Sequence, residues 1–374
     1  MHSGCAGGYA GGRLSQVASC LLTISPVHMP PRVLLIGTFL SSSLRALSPS
    51  EELAERLMVA GWDVQVASTR RARLPRLADY LATAWRRRHT YDVANVDVYS
   101  GAAFAWAEAV CAVLQAARKP YTLTLHGGNL PAFVRKWPRR AQRLLRAAAV
   151  VTAPSGYLIE HVRHIRDDVR LLPNALDLDR YQYRERDRPE PKLIWLRAFH
   201  RIYDPPLAPE VVARLVRRYP GVSLTMLGSD KGDGSLRDTR DSIDRLGLGA
   251  RVALPGGVPK AEVPLRLQEG DIFLNTTDVD NTPVSVLEAM ACGLCVVSTA
   301  VGGIPYLIQD GVNGILVPPR DADAMAAAVD RILSERGIGR SLSYAGRRMV
   351  ECFDWKQILP RWQELLCSVA RTGG

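Results

Sequence analysis

The sequence predicts an α/β protein built from two parallel-sheet domains in series. Three observations carry that reading. Short apolar runs alternate with longer amphipathic ones from residue 32 onward, the pattern of βα units. The chain has 374 residues, room for two domains of about 150 residues each. A charged, proline-containing stretch without apolar period, residues 185–191, divides the series.

The elements follow in order. Residues 32–39 read as a continuous apolar strand ending at Gly37. Ser50 can cap a helix with Glu51 and Glu52 in its first turn, running to Ala60 and stopped by Gly61. A strand at 63–68, a basic helix at 74–87 and a strand at 91–99 come next. A helix at 102–117, a strand at 121–126 and a helix at 131–148 follow. A strand at 150–153, a helix opened by Ser155 and a strand at 168–172 complete the first half. The second half has strands at 192–196, 223–227, 251–254, 271–275, 295–298 and 314–317. Its helices lie at 209–218, 235–246, 260–268, 283–291 and 322–334. A terminal helix from Asp354 to about Ala370 carries Trp355 and Trp362. The expected organisation is a disordered extension at 1–28, domains at 29–184 and 185–353, and a helix at 354–374 that crosses back to the first domain. Residues 1–28 are rich in Gly, Ser and Cys and lack periodicity, and Met29 leads straight into the first strand as an alternative start.

Composition excludes several classes. At 47% apolar and 23% charged the chain is no disordered, collagenous or coiled-coil protein. No run of 18 apolar residues predicts a transmembrane helix. Seven scattered cysteines read as reduced thiols of a cytoplasmic protein. Cys292 and Cys295 form a C-x-x-C without the second pair or histidine of a zinc site, and read as small core residues. The net charge is +11, and its position is uneven. Residues 31–173 hold 21 basic and 11 acidic side chains, whereas 174–374 hold 26 of each. That asymmetry admits nucleic acid, an anionic membrane or a phosphorylated substrate, and assigns the two halves different partners.

The most specific stretch is residues 275–299, NTTDVDNTPVSVLEAMACGLCVVST. A strand ends in an acidic loop, and a helix starts at Pro283. Free first-turn amides and the helix dipole make a ready site for a diphosphate. Proline suits the first helical position, where no intrahelical N–H is needed. Glu288, one and a half turns in, is placed to accept hydrogen bonds from a ribose.

Here the sequence resembles the group 1 retaining glycosyltransferases, whose GT-B fold sets two Rossmann-like domains face to face. The resemblance rests on Asp280-x7-Glu288 followed by Ala289-Met290-Ala291-Cys292-Gly293 and Val296-Val297. Val301-Gly302-Gly303-Ile304-Pro305, Asp310-Gly311-Val312-Asn313-Gly314, Leu172-Pro173-Asn174 and His126-Gly127-Gly128 add to it. It implies that Glu288 binds the donor ribose and that Asp280 contacts the sugar near the reacting carbon. Asp280 is one methylene shorter than the family glutamate and is equally placed to cap the helix. Asn281, Thr282 and Pro283 stand at the family's Gly-Phe-Gly, where the first two offer amides. His126 would face the donor sugar and phosphate, and Arg197 matches the family's diphosphate arginine. The usual lysine is replaced by Ile202, which leaves Arg201 or Lys231 to supply a second cation. Gly37, Gly127 and Asn174 fall on the acceptor side.

The resemblance implies a nucleotide diphosphate sugar as donor substrate, no cofactor and a glycan, lipid-linked or other small-molecule acceptor. Asp-x-Asp occurs at 177–179, 278–280 and 321–323, a triplet short enough to arise by chance, and no required metal is expected. Residues 133–146 join six cations to Trp137, Leu144 and Leu145, and residues 86–88 are three arginines. Such a face suits loose attachment to an anionic membrane surface. The expected function is metal-independent sugar transfer in cell-envelope polysaccharide or glycolipid synthesis. The alternatives are a nucleotide-sugar epimerase and a catalytically inactive nucleotide-sugar-binding protein. No nucleic-acid partner is expected, because no recognition module accompanies the charge.

Overall fold

The computed structural model describes residues 29–39 and 48–372. The expected extension at 1–28, with Cys5 and Cys20, lies outside the described residues. The described residues from 31 onward form one compact unit with two six-stranded parallel sheets.

In the first half β1 is Val33–Ile36, α1 Pro49–Val59, β2 Val64–Ala67, α2 Arg73–Arg86, β3 Val93–Val98 and α3 Ala102–Ala116. They are followed by β4 Tyr121–Leu125, α4 Leu130–Lys136, α5 Pro138–Ala147, β5 Val150–Ala153, α6 Gly156–Val162 and β6 Arg170–Leu171. The second half runs β7 Lys192–Leu196, α7 Leu207–Leu215, β8 Ser223–Leu227, α8 Ser235–Arg245, β9 Val252–Gly256, α9 Val263–Gln268 and β10 Ile272–Asn275. It continues with α10 Val284–Ala291, β11 Cys295–Thr299, β12 Ile315–Val317, α11 Ala322–Ser334, α12 Ile338–Val350 and α13 Trp355–Arg371.

Strand order is β2-β1-β3-β4-β5-β6 in the first sheet and β12-β11-β10-β7-β8-β9 in the second. The chain reverses direction across each sheet between β1 and β3 and between β7 and β10. Loops leaving the carboxyl ends there diverge and leave a crevice, the usual ligand position in such sheets.

Several boundaries differ from the sequence reading for local reasons. Ser48, not Ser50, caps α1: its hydroxyl accepts from Glu51 N (3.2 Å), and the Glu51 carboxylate accepts from Ser48 N (2.7 Å). This reciprocal box, with Pro49 at the first position, closes two open donors and frees Ser50 for another role. The single helix expected at 131–148 is two, broken at Trp137, because Pro138 has no amide to continue the ladder. Pro283 sits at the N-cap of α10 in extended geometry (φ −68°, ψ 113°), one position earlier than the sequence suggests. Helix α12 lies where no helix is expected. The charged stretch at 185–191 is pinned to the second half: buried Arg186 bonds Asp271, Gly270 O and Cys292 O. Burial lowers the Arg186 pKa, and Asp271 offsets part of that desolvation.

The first sheet has two cores. On one face Leu34, Val96, Leu123 and Val151 pack with Phe104, Val110, Leu114 and Leu158 of the flanking helices. On the other, Val33, Leu35 and Val93 pack with Leu53 and Leu57 of α1 and with Trp355, Ile358, Trp362 and Leu366 of α13. Helix α13 therefore covers the first sheet although it follows the second half. Leu144 and Leu145, offered by the sequence as part of a lipid-facing stripe, are instead core residues of the first half. Trp137 remains exposed, with Lys136 and Arg140 over its ring.

Candidate active site

The loop after β10 is built from hydroxyls that tie it to the loop after β7. Trp195 Nε1 donates to Thr276 Oγ1 (2.9 Å), and Thr276 Oγ1 donates to Tyr203 O (2.6 Å). Thr277 Oγ1 reaches Ile202 O (3.0 Å), Asp278 N reaches the same carbonyl (2.7 Å), and Thr299 Oγ1 donates to Thr277 O (2.6 Å). These bonds hold two loops from opposite sides of the switch point at a fixed distance, and so bring Asp280 to Arg197. The two form an ion pair. Arg197 also lies over the Tyr203 ring at 4.4 Å. Its Nε is buried without a hydrogen-bond partner. Burial pulls the guanidinium pKa down from its ordinary value.

Asp280 Oδ1 accepts from Asn281 N (2.8 Å), an Asx-type contact that fixes the turn into Thr282 and Pro283. The first intrahelical bond of α10 runs from Val286 N to Pro283 O (3.1 Å). The amides of Val284 and Ser285 therefore precede the ladder. Glu288 is buried, and Tyr181 Oη donates to it at 2.8 Å. Burial raises the Glu288 pKa, and the Tyr181 hydrogen bond only partly counters it. Gly302 and Gly303 let one more loop close in: a Cβ on either would collide with the carbonyl of Asp280 or Asn281.

The first half meets this loop directly. Gly127 takes φ +86°, a turn open to glycine, and Gly128 packs on Val279 and the Asp280 backbone. Ser155 Oγ donates to Asn281 Oδ1, and Tyr306 Oη to Glu160, so two further bonds span the cleft. His126 is buried, stacks on Tyr99 at 4.8 Å and places Nε2 3.1 Å from Asp97 Oδ1. It lines a cavity between the halves with Asn174, Val284 and Trp355. Gly37 ends β1 against Asp97: a Cβ there would strike that carboxylate, and Tyr80 Oη donates to its carbonyl (2.5 Å).

The structure thus gathers Arg197, Asp280, Asn281, Thr282 and Pro283 with the His126–Gly127 loop. Asn174 and Gly37 lie on the first-half side. Arg201 is not part of that group. Its guanidinium donates to Asp233 O (3.0 Å), and it lines a separate depression with Asp204 and Asp278. Lys231 is exposed, with its amide on Phe199 O (3.2 Å).

Four residues escaped the sequence reading. Asp97 and Asn95 are polar at alternate positions of an otherwise apolar strand, which puts both on one face; that spacing was the available signal. Neither Tyr181 nor Lys260, which is ion-paired to Glu52 across the halves, was singled out by the sequence. The six Asp-x-Asp carboxylates are each occupied. Asp177 pairs with Arg56, Asp179 with Lys356, Asp278 with Arg320 and Asp323 with Arg214, while Asp321 caps α11. Asp280 pairs with Arg197. Among the described residues no group of three His, Cys, Asp or Glu side chains is arranged to hold a metal.

Two parallel-sheet domains closed on a buried cation–acid pair beside a helix N-terminus define the GT-B class. Comparison with known proteins specifies the class further. Residues 184–349 match the family model for glycosyl transferases group 1, and residues 44–180 match that for glycosyltransferase family 4. The two matches together span most of the chain, which is a glycosyltransferase whose residues 184–349 belong to group 1. It is 33% identical over 191 residues to a D-inositol 3-phosphate glycosyltransferase of Mycobacterium ulcerans, an alignment covering 50% of this chain and 40% of that protein. The corresponding figures for the Mycobacterium bovis (strain BCG / Pasteur 1173P2) protein of that name are 30%, 45% and 35%. The chain therefore spans less than half the length of these relatives. In fold it resembles a sucrose-phosphate synthase from Thermosynechococcus elongatus, with TM-score 0.75 and 18% identity over 91% of this chain and 100% of that one. Anabaena HepE, solved with UDP and glucose, gives TM-score 0.70 and 18% identity over 90% and 100%.

Proposed function

We infer that the protein transfers a sugar from a nucleotide diphosphate sugar to an acceptor hydroxyl, with retention at the anomeric carbon. The observation that supports this most is the Arg197–Asp280 pair set beside the open amides of α10, with Glu288 further along the same helix. Breaking the glycosidic bond leaves negative charge on the diphosphate. Arg197 and the amides of Val284 and Ser285 are aimed where that charge develops, which is the larger part of the catalysis expected of such a site. Glu288, oriented by Tyr181, accepts from the ribose hydroxyls. Asp280 contacts the sugar, and His126 faces it from the first half. Lys231 or Arg201 would need to turn to add a second cation. The reaction needs no divalent cation in this reading, because the Asp-x-Asp carboxylates are committed to other partners; EDTA should leave the rate unchanged.

The role assigned is cell-envelope polysaccharide or glycolipid synthesis, at the inner membrane face. Trp137, Trp85, Arg86 and Arg87 remain exposed for anionic lipid, and no described helix is long and apolar enough to cross a membrane. Salt-sensitive pelleting with anionic vesicles tests that attachment.

A thermal-shift screen with uridine, guanosine and adenosine diphosphate sugars tests the donor reading. One donor should stabilise the chain, and Glu288→Ala should abolish that shift; an unchanged shift rules out the ribose role. Proton NMR of the product reads the anomeric configuration. The orientation of Arg201 away from the pair favours one second reading, a nucleotide-sugar-binding protein without catalysis. Tight donor binding with background hydrolysis would select it.

A further inference from the structure

We propose that the acceptor end entering the cleft is a neutral polyhydroxylated molecule, a sugar or polyol that bears no phosphate there. The proposal rests on the reading of this cavity as the acceptor side of a transferase. Its floor is the carboxylate of Asp97, whose side chain is 4% exposed. Asp97 accepts from Ser50 Oγ and lies 3.1 Å from His126 Nε2. Around it stand uncharged hydrogen-bonding groups, Ser50, Asn95, Thr124 and Asn174, and the indoles of Trp355 and Trp362. Asn95 is itself fixed, since its Oδ1 accepts from Thr122 Oγ1 (2.7 Å) and Thr124 Oγ1 (2.8 Å).

The charges that face this space are few. Lys260 is the sole lysine or arginine among the described lining residues, and it is paired with Glu52. His126 is engaged by Asp97. A phosphate ester entering here would lose its hydration, find no unpaired cation among the described lining residues, and approach a buried carboxylate. Juxtaposed like charges of this kind exclude a ligand more effectively than missing contacts do. A sugar meets the opposite situation. Its hydroxyls can donate to Asp97 and bond to Asn174 and Thr124, while its C–H faces can lie on an indole. The basic excess of the first half does not alter this. Arg139, Arg143, Arg86 and Arg87 lie on exposed surfaces of α5 and of α2 and the turn after it, outside the cavity lining. The curated relatives carry a phosphorylated acceptor in their name, so the proposal separates this chain from them.

The test uses the full chain and matched ligand pairs: glucose against glucose 6-phosphate, and myo-inositol against inositol 3-phosphate. Binding is measured by calorimetry with UDP present, and transfer with the donor that gives the largest thermal shift. The neutral member of a pair should be favoured by at least about tenfold in Kd or kcat/KM, a difference of about 1.4 kcal/mol. Inorganic phosphate should not compete. Asp97→Asn keeps the shape and removes the charge, so it should narrow that ratio and make inorganic phosphate an inhibitor. A wild-type preference for the phosphate ester, or equal use of both, overturns the proposal; this result needs no variant to fold. So does an unchanged ratio in Asp97→Asn with a native circular dichroism spectrum. Loss of all nucleotide binding would overturn the transferase reading instead. The acceptor claim is then read from the pairs alone, where tighter phosphate-ester binding, or binding of neither member, overturns it.

Discussion

The two halves share a six-stranded parallel sheet and a single switch point, yet an acid sits at one and a cation paired with an acid at the other. In the first half the switch point carries Asp97, with Gly37 kept small beside it. In the second it carries Arg197. Bulk charge runs the other way: the first half has the basic excess and the second is balanced. The reason is geometric. Net charge is set by exposed helix faces, where a side chain costs little to place, whereas a switch point is buried and admits only groups with partners. A domain's charge therefore describes what approaches its surface and not what enters its cleft.

Four substitutions probe that opposition. Arg197→Ala removes the buried cation and leaves Asp280 without its partner, so kcat should fall about 10²–10³-fold. Arg197→Lys should restore part of the loss, and a rate within threefold or so of wild type in the alanine variant would dissolve the contrast. Gly37→Ala forces a methyl onto Asp97. Overpacking of this kind costs about 1–3 kcal/mol, which should raise the acceptor KM roughly tenfold while the donor thermal shift stays intact. Equal damage to donor binding would show that the two switch points are not separate sites. Tyr181→Phe deletes the donor to Glu288 at a cost of about 1 kcal/mol, so the donor Kd should rise about fivefold with acceptor KM unchanged.

The smallest effect concerns a carboxylate of the second half outside the cleft. Burial, reinforced by nearby Asp278, pushes the Asp204 carboxyl up from 3.8 to about 6. The folded chain then holds this proton more tightly than the unfolded chain does. Its contribution to stability therefore declines as pH rises from about 4 to 6 and is gone above that. Asp204→Asn escapes the decline, and asparagine tolerates the local φ of +40°. The variant should melt higher than wild type at pH 7, with the gap closing toward pH 4; a constant gap would point to backbone conformation instead of charge.

Much of the architecture was legible because its elements obey simple periods. The runs at 192–196 and 223–227 coincide with β7 and β8, since buried parallel strands are continuous apolar segments. Helix α12 was not legible, because its buried face has only two large apolar residues, Leu342 and Val350, beside Ser343 and two glycines. Those glycines are there for proximity: Gly339 lies against Pro189 and Arg186 O, and Gly346 against Met290. Close packing removed the large apolar residues that a periodicity search detects. The same limit applied to the site. Arg197 and Glu288 could be placed from a family pattern, whereas Asp97 acquires meaning only from Gly37, Ser50 and His126, which lie far from it in sequence. The continuous helix expected at 131–148 hid a break at Pro138, and Leu144 and Leu145 of its apolar stripe pack into the core of the first half.

The crossing of α13 has a consequence for how the protein is made. One face of the first sheet is finished only when Trp355, Ile358 and Trp362 arrive, and these follow the entire second half in the chain. On the ribosome, the earlier half must wait with Val33, Leu35 and Leu57 incompletely covered while the later half is synthesised and folds. The first half is thus begun first, yet its packing closes only with the final helix of the chain.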